Sequence, residues 1–166
     1  MGVSEILSAN RVLVSTEVEG GVRDKAGALR RLAGLLASGV PSGAGAPVTT
    51  PEEVERVLVE REALHSTGVG GGVAIPHGAI ERLDRLVGAM LLCPTPIEFA
   101  AVDGAPVSIL VSIIGPKRAA GEHLKMLARV SRLLRDETFR TRLLAAPDGR
   151  TAFSLITAEE GRAISP

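Results

Sequence analysis

Two runs of eight residues, Leu86–Cys93 and Val107–Ile114, are apolar with little interruption. Runs of that length and continuity predict strands buried on both faces. A shorter β-branched stretch, Val12–Val14, predicts a first strand, and Val73–Ile75 another. Ile97-Glu98-Phe99 reads as a short strand or turn, and Asp103-Gly104 as a turn. Elsewhere the spacing is helical. Leu29, Leu32, Ala33 and Leu36 mark one face of a helix capped by Asp24 and stopped by Gly39. Thr50-Pro51-Glu52-Glu53 is a capping box with proline at the first helical position, where its missing N–H costs nothing. It opens a helix whose buried face is expected to carry Val54, Val57, Leu58 and Leu64. Leu124, Leu127, Val130 and Leu134 predict a helix over about 119–134, and Phe139 and Leu143 a further one after Asp136. Asp148-Gly149 is a break, followed by a last short helix or turn over Thr151–Ile156.

Two segments read as irregular. Val40–Thr49, with two prolines and two glycines, is a loop too short to join independent domains. Gly68–Gly72 holds four glycines; it predicts a loop, and Pro76–Gly78 a turn at the end of a strand. The order of elements is strand, helix, helix, three strands, helix, helix. That order predicts an α/β fold, a single-domain sandwich over residues 1–166 rather than a strict βαβ alternation. It leaves room for antiparallel strand pairs.

Length and charge narrow the function. The 166 residues are about one domain. Nineteen basic residues balance nineteen acidic ones, so nothing favours binding nucleic acid through general basicity. With three Phe, no Tyr and no Trp, the stacking platforms used for single strands or sugars are missing. One cysteine, Cys93, excludes an internal disulfide and a multi-cysteine zinc site, and its place in an apolar strand makes it an inert core thiol. The uncharged stretches Leu32–Pro51 and Ala63–Ile80 are broken by Gly, Pro, Ser and Thr, so no direct membrane insertion is expected. With no signal segment at the start, the expected location is cytoplasmic.

Two of the three histidines hold informative places. His77 lies between Pro76 and Gly78 on a rigid turn, which exposes an imidazole and fixes its direction. Neutral imidazole is a good nucleophile near pH 7. His123 stands in the first turn of a helix, where the dipole favours the neutral ring and nearby anions. Arg61 falls near the end of its own helix. On residue type alone, both histidines read as readily as structural ones, and Arg61 as a solvated helix residue. The glycine cluster is a sharp turn before it is an anion cradle. No Gly-Lys pair exists, so a Walker loop is absent. His65 reads as a surface residue. The separations from His65 to His77 (12) and from His77 to His123 (46) give no local metal-ligand spacing.

The ordered combination carries more. Arg61-Glu62-Ala63-Leu64, Ser66-Thr67-Gly68-Val69-Gly70 and Val73-Ala74-Ile75-Pro76-His77-Gly78 are followed by Gly121-Glu122-His123-Leu124-Lys125-Met126-Leu127-Ala128. These blocks resemble the mannitol/fructose-type enzyme IIA domain of the bacterial sugar phosphotransferase system, including its nitrogen-regulatory branch. The resemblance spans about residues 4–158. It implies a central mixed β-sheet flanked by helices. It also implies that His77 accepts a phosphoryl group on Nε2 from an HPr-type phosphocarrier and hands it to a cysteine of an enzyme IIB partner. In the regulatory branch the phosphorylation state is a signal read by other proteins. The resemblance further implies that His123 hydrogen-bonds the phosphoryl oxygens, that Arg61 supplies positive charge, and that Ser66 and Thr67 shape the loop. Gly68, Gly70 and Gly78 would bring backbone N–H groups to the anion, with no cofactor and no metal. A phosphohistidine carries nearly two negative charges, so such a site must be shallow and ringed by donors. The chain has no fused transmembrane or IIB segment, which favours the regulatory branch. A regulatory binding protein that keeps the fold without phosphotransfer is the alternative. The chain departs from the usual pattern at Ala79, where many relatives are basic, and at His65 and Gly71.

Overall fold

Four helices begin where a side chain can take up a free N–H group, the last of them at Asp148. Asp24 accepts from Gly27 N at 2.8 Å, Thr50 from Glu53 N at 3.1 Å, and Asp136 from Thr138 N at 2.9 Å. The computed structural model describes residues 1–41 and 48–164. The loop expected over Val40–Thr49 therefore lies largely outside the described residues. Helices α1 (Val3–Ile6), α2 (Lys25–Ser38), α3 (Pro51–Leu64), α4 (Ala120–Leu133), α5 (Glu137–Leu144) and α6 (Gly149–Ile164) surround six strands. These are β1 (Val12–Val14), β2 (Gly68–Gly70), β3 (Val73–Ala74), β4 (His77–Ala79), β5 (Val87–Ile97) and β6 (Val107–Gly115).

The strand order is β1-β5-β6-β3-β2, and β4 also pairs with β6. β5 and β6 run antiparallel, as do β2 and β3, while β1 pairs parallel with β5 and both β3 and β4 pair parallel with β6. The sheet is therefore mixed. β3 and β4 lie end to end along one side of β6, because Ile75 and Pro76 interrupt the ladder without turning the chain away.

The central strands are buried on both faces, with the period of two that a pleated strand imposes. Along β5, Ala89, Leu91 and Cys93 face α2 and α3, packing with Leu32, Leu36, Val54 and Leu58. Met90 and Leu92 face the other layer, with Met126, Val130, Phe139, Leu143 and Ile156. The result is a sheet sandwiched between two helical layers. Among the described residues no helix is long and apolar enough to cross a membrane.

Several expectations are corrected. Leu64, expected on the buried face of α3, is 82% exposed; that face carries Val54, Leu58 and Glu62, at i, i+4 and i+8. Leu124, expected inside, is 68% exposed, and the buried stripe of α4 is His123, Met126 and Val130. Both stripes are rotated because the sheet, not the count of apolar residues, sets the inward direction. The turn expected over Pro76–Gly78 is strand β4, and part of the expected loop is strand β2. The last helix is longer than Thr151–Ile156, because Asp148 accepts from Thr151 N at 2.8 Å and so starts the helix. The short helix α1 carried no sequence signal; Glu160 of α6 holds it, accepting from Val3 N at 2.6 Å and Ser4 N at 2.7 Å.

Candidate functional site

His77 opens β4 opposite Ile113 of β6. The peptide before it is tied down on both sides. The Pro76 carbonyl accepts from Ile113 N at 3.1 Å and from Ser112 Oγ at 2.7 Å. Ile75 N donates to the Thr67 carbonyl at 3.0 Å. The Ile75 carbonyl lies 2.7 Å from His77 Nδ1. A carbonyl only accepts, so Nδ1 carries the proton and donates, and the lone pair of the neutral ring is on Nε2.

Gly78, next in the strand, is required by packing. A Cβ there would collide with Val57 Cγ1 of α3. Its absence lets α3 lie close against β4, and α3 brings Arg61 toward the histidine.

His123 meets His77 ring to ring, with centroids 5.5 Å apart and planes at 64°. It is 9% exposed, and its Nε2 has no hydrogen-bond partner among the described residues. A buried ring nitrogen left alone is uncommon. It lies in the first turns of α4, whose N-cap, Ala119, provides no side-chain cap. The first N–H groups of that helix are thus left to other partners.

Burial pushes both imidazoles below their ordinary pKa. For His77 the Ile75 hydrogen bond opposes this, the Arg61 charge adds to it and the Glu62 charge opposes it. For His123 the neighbouring His77 adds to the effect of burial. Both shifts favour the neutral ring at pH 7. Arg61 donates through Nη1 to the His65 carbonyl at 2.8 Å, which holds the end of α3 against the following loop. His65 itself is exposed.

The remaining expected residues divide. Ser66 Oγ accepts from Gly68 N at 3.1 Å and donates to the Phe99 carbonyl at 3.3 Å. Thr67 is buried, and both its N–H (2.9 Å) and its hydroxyl donate to Glu62 Oε1. Both make their bonds from the loop before β2, and Thr67 is linked to His77 through Ile75. Gly68 and Gly70 are not brought to His77. They lie on β2, in register with Ala74 and Val73, and Val73 pairs with Ile109, four residues along β6 from the partner of His77. That is about 13 Å along the strand for Gly70, and about 10 Å for Gly68, which Ala74 links to Leu110. The glycines from 70 to 72 take positive φ in the β2–β3 turn, where Gly71 N donates to Asp103 at 3.2 Å. The glycine cluster is thus a turn whose amide is already occupied by a carboxylate.

Sequence reasoning quoted Glu62 but gave it no role. It is 8% exposed and pairs with Lys25 Nζ at 2.7 Å. Its signal was present: a carboxylate in line with the apolar stripe Val54–Leu58 at helical spacing. Cys93 is buried away from the site, and burial pushes its thiol up to about 11. Among the described residues no three His, Cys, Asp or Glu side chains group as metal ligands.

These features agree with what the chain is similar to. The family model described as the phosphoenolpyruvate-dependent sugar phosphotransferase system, EIIA 2, matches residues 6–159. A nitrogen regulatory protein of Pseudomonas aeruginosa is 33% identical over 154 residues, 93% of this chain and 94% of that protein. Another, from Bradyrhizobium diazoefficiens, is 41% identical over 103 residues, 62% of this chain and 67% of that protein. The crystal structure of nitrogen regulatory protein IIA-Ntr from Neisseria meningitidis superimposes with a TM-score of 0.79 at 29% identity, covering 93% of this chain and 98% of that one. The crystal structure of mannitol IIA from Escherichia coli, at 20% identity and a TM-score of 0.69 over 90% of this chain and 97% of that one, shares the fold. With the mixed sheet, the paired histidines and a match over nearly the whole chain, this protein belongs to the EIIA 2 family of the phosphoenolpyruvate-dependent sugar phosphotransferase system.

Proposed function

We propose that this chain carries a phosphoryl group on His77 Nε2, taken from an HPr-type phosphocarrier. The group then passes to a cysteine of an enzyme IIB partner, or its presence on His77 is read by regulatory target proteins. The observation that carries this reading is the 2.7 Å contact between His77 Nδ1 and the Ile75 carbonyl, which leaves Nε2 with the lone pair. The Nε2 lone pair attacks phosphorus in line, and the bond to the donor's histidine nitrogen breaks. Nδ1 keeps its proton and its hydrogen bond throughout. In the onward step a partner thiolate attacks phosphorus, and neutral His77 leaves.

Such a transfer depends on positioning and charge rather than on covalent chemistry by the protein. His123 Nε2, buried and with no partner among the described residues, is the atom placed to donate to a phosphoryl oxygen when it carries the ring proton. Arg61 adds positive charge near His77. Ser66 and Thr67 hold the loop, and Gly78 admits α3. The names of the relatives favour the regulatory use: the Pseudomonas and Bradyrhizobium proteins are both nitrogen regulatory proteins.

The test is phosphoryl transfer from labelled phospho-HPr to the wild type and to His77→Ala. The wild type is expected to label and the variant to stay blank. Equal labelling of the two sinks the reading. Capture of partners with and without the label separates the two uses, since a transport carrier and a signal differ in which state binds.

A further inference from the structure

Glu62 is a costly residue where it stands. It continues the stripe of Val54 and Leu58 into the core, and a leucine would serve packing there. Buried ion pairs seldom add net stability over an apolar pair of the same volume. A carboxylate at this place therefore calls for another use, and its partners indicate one.

Glu62 Oε2 pairs with Lys25 Nζ at 2.7 Å, and Lys25 also donates to the Phe99 carbonyl at 3.2 Å. Glu62 Oε1 accepts from both Thr67 N and Thr67 Oγ1. The Thr67 carbonyl in turn accepts from Ile75 N at 3.0 Å, and the Ile75 carbonyl accepts from His77 Nδ1 at 2.7 Å. A continuous line of polar contacts thus runs from the start of α2, through the end of α3, to the reacting ring. Pro76 cannot donate a hydrogen bond. The orientation of the Ile75 carbonyl therefore rests on the contact to Thr67 on one side and on the β6 contacts of Pro76 on the other.

We infer that Glu62 is a positioning residue for His77: its carboxylate, neutralised by Lys25, anchors Thr67 and thereby the Ile75 carbonyl that selects the Nδ1–H tautomer. The inference rests on the reading of His77 Nε2 as the phosphoryl acceptor. Glu62 does not touch the transferred group. It acts by keeping the lone pair on the right nitrogen and the ring in the right direction. A displacement of the order of 1 Å in a reacting group costs about 100-fold, and loss of the partner that orients a metal-ligating imidazole, the comparable case, about 10- to 100-fold.

The test replaces the whole pair, Lys25→Met with Glu62→Leu, so that no buried charge is left alone. Thermal melts check that the doubly substituted protein folds. Two readouts follow. The first is the tautomer of His77, read at pH 8 from the two-bond proton–nitrogen correlations of labelled imidazole, with no phosphoryl donor present. The second is the steady-state rate with phospho-HPr. The wild type is expected to show the Nδ1–H pattern alone. The double variant is expected to show a mixture of tautomers, a kcat lower by about 10- to 100-fold, and little change in KM. Glu62→Gln, which keeps an oxygen for Thr67, is expected to retain the wild-type pattern. A folded double variant with the Nδ1–H pattern and unchanged kcat overturns the inference, as does loss of the pattern in Glu62→Gln. Should the double variant not fold, Glu62→Leu alone removes both bonds to Thr67 while Lys25, part-exposed, keeps the Phe99 carbonyl; a retained pattern there overturns the inference, and a lost one supports it. A wild type that phospho-HPr does not label defeats the carrier reading instead, and the tautomer comparison still decides the role of Glu62.

Discussion

His123→Leu separates this residue's effect on stability from its proposed role in transfer. Its Nε2 is buried with no partner among the described residues, and an unpaired buried polar group costs about 1–3 kcal/mol. Leucine has a similar volume, and mismatched packing after such a swap costs under about 1.5 kcal/mol. The fold should therefore gain about 1 kcal/mol, which for a domain of this size raises Tm by about 2–4 °C. Transfer should move the other way. The variant has no N–H for the phosphoryl oxygens, and a hydrogen bond to a charged group is worth about 1.5–3 kcal/mol. That corresponds to a rate lower by about 10- to 150-fold. Calorimetric melts at pH 8, where both imidazoles are neutral, give the first number. Initial rates of labelling by phospho-HPr give the second. A variant that melts lower than the wild type and labels at the same rate refutes both the orphaned donor and its use.

Further outcomes concern pH, packing and the thiol. Because burial holds His77 below its ordinary pKa, labelling should stay level as pH falls through about 6.5 and decline only below the lowered value; a half-maximal point above 6.5 would contradict the burial seen here. Stability has the same sign. With His77 and His123 both depressed, the unfolded chain binds more protons, so their contribution is complete above about 6.5 and is lost as pH falls from there to the folded values, which urea melts at stepped pH can follow. Gly78→Ala should destabilise by about 1–3 kcal/mol through its collision with Val57, and Val57→Ala should recover part of that in the double variant; additive losses would mean the two do not touch. Cys93, buried with its thiol pushed up to about 11, should resist alkylation at pH 8 until the protein is denatured, and rapid labelling of the folded protein would contradict the packing of β5.

The sequence made the layers legible because their signals are local. Continuous apolar runs became β5 and β6, and Asp24, Thr50 and Asp136 capped the helices they announce. The motif around His77 and the second histidine were also readable, since their order along the chain is itself a signal. Long-range facts were not. β4 reads as a turn because Pro76 and Gly78 flank its histidine, and only the pairing with Ile113–Gly115 makes it a strand. Leu64 and Leu124 look like core residues until the sheet fixes which way each helix faces. Glu62 looks like a solvated glutamate, because its partner Lys25 is far away in sequence. Both helices in fact carry one polar residue on their buried stripe, Glu62 on α3 and His123 on α4. A polar residue in phase with an apolar stripe was the readable hint. The glycine cluster was legible as a turn but not in its contacts: only the position of Asp103, 32 residues on from Gly71, shows where the Gly71 amide points.

Strand β4 has one further consequence. Among the described residues it pairs with one strand, β6, so the histidine is carried on a margin strand of the sheet. A margin of that kind invites unwanted association with other chains. Here it is only three residues long, contains a glycine and follows a proline, features that give an approaching strand little to extend. A margin this short limits pairing with a second copy of the chain while leaving the histidine it carries only half-buried.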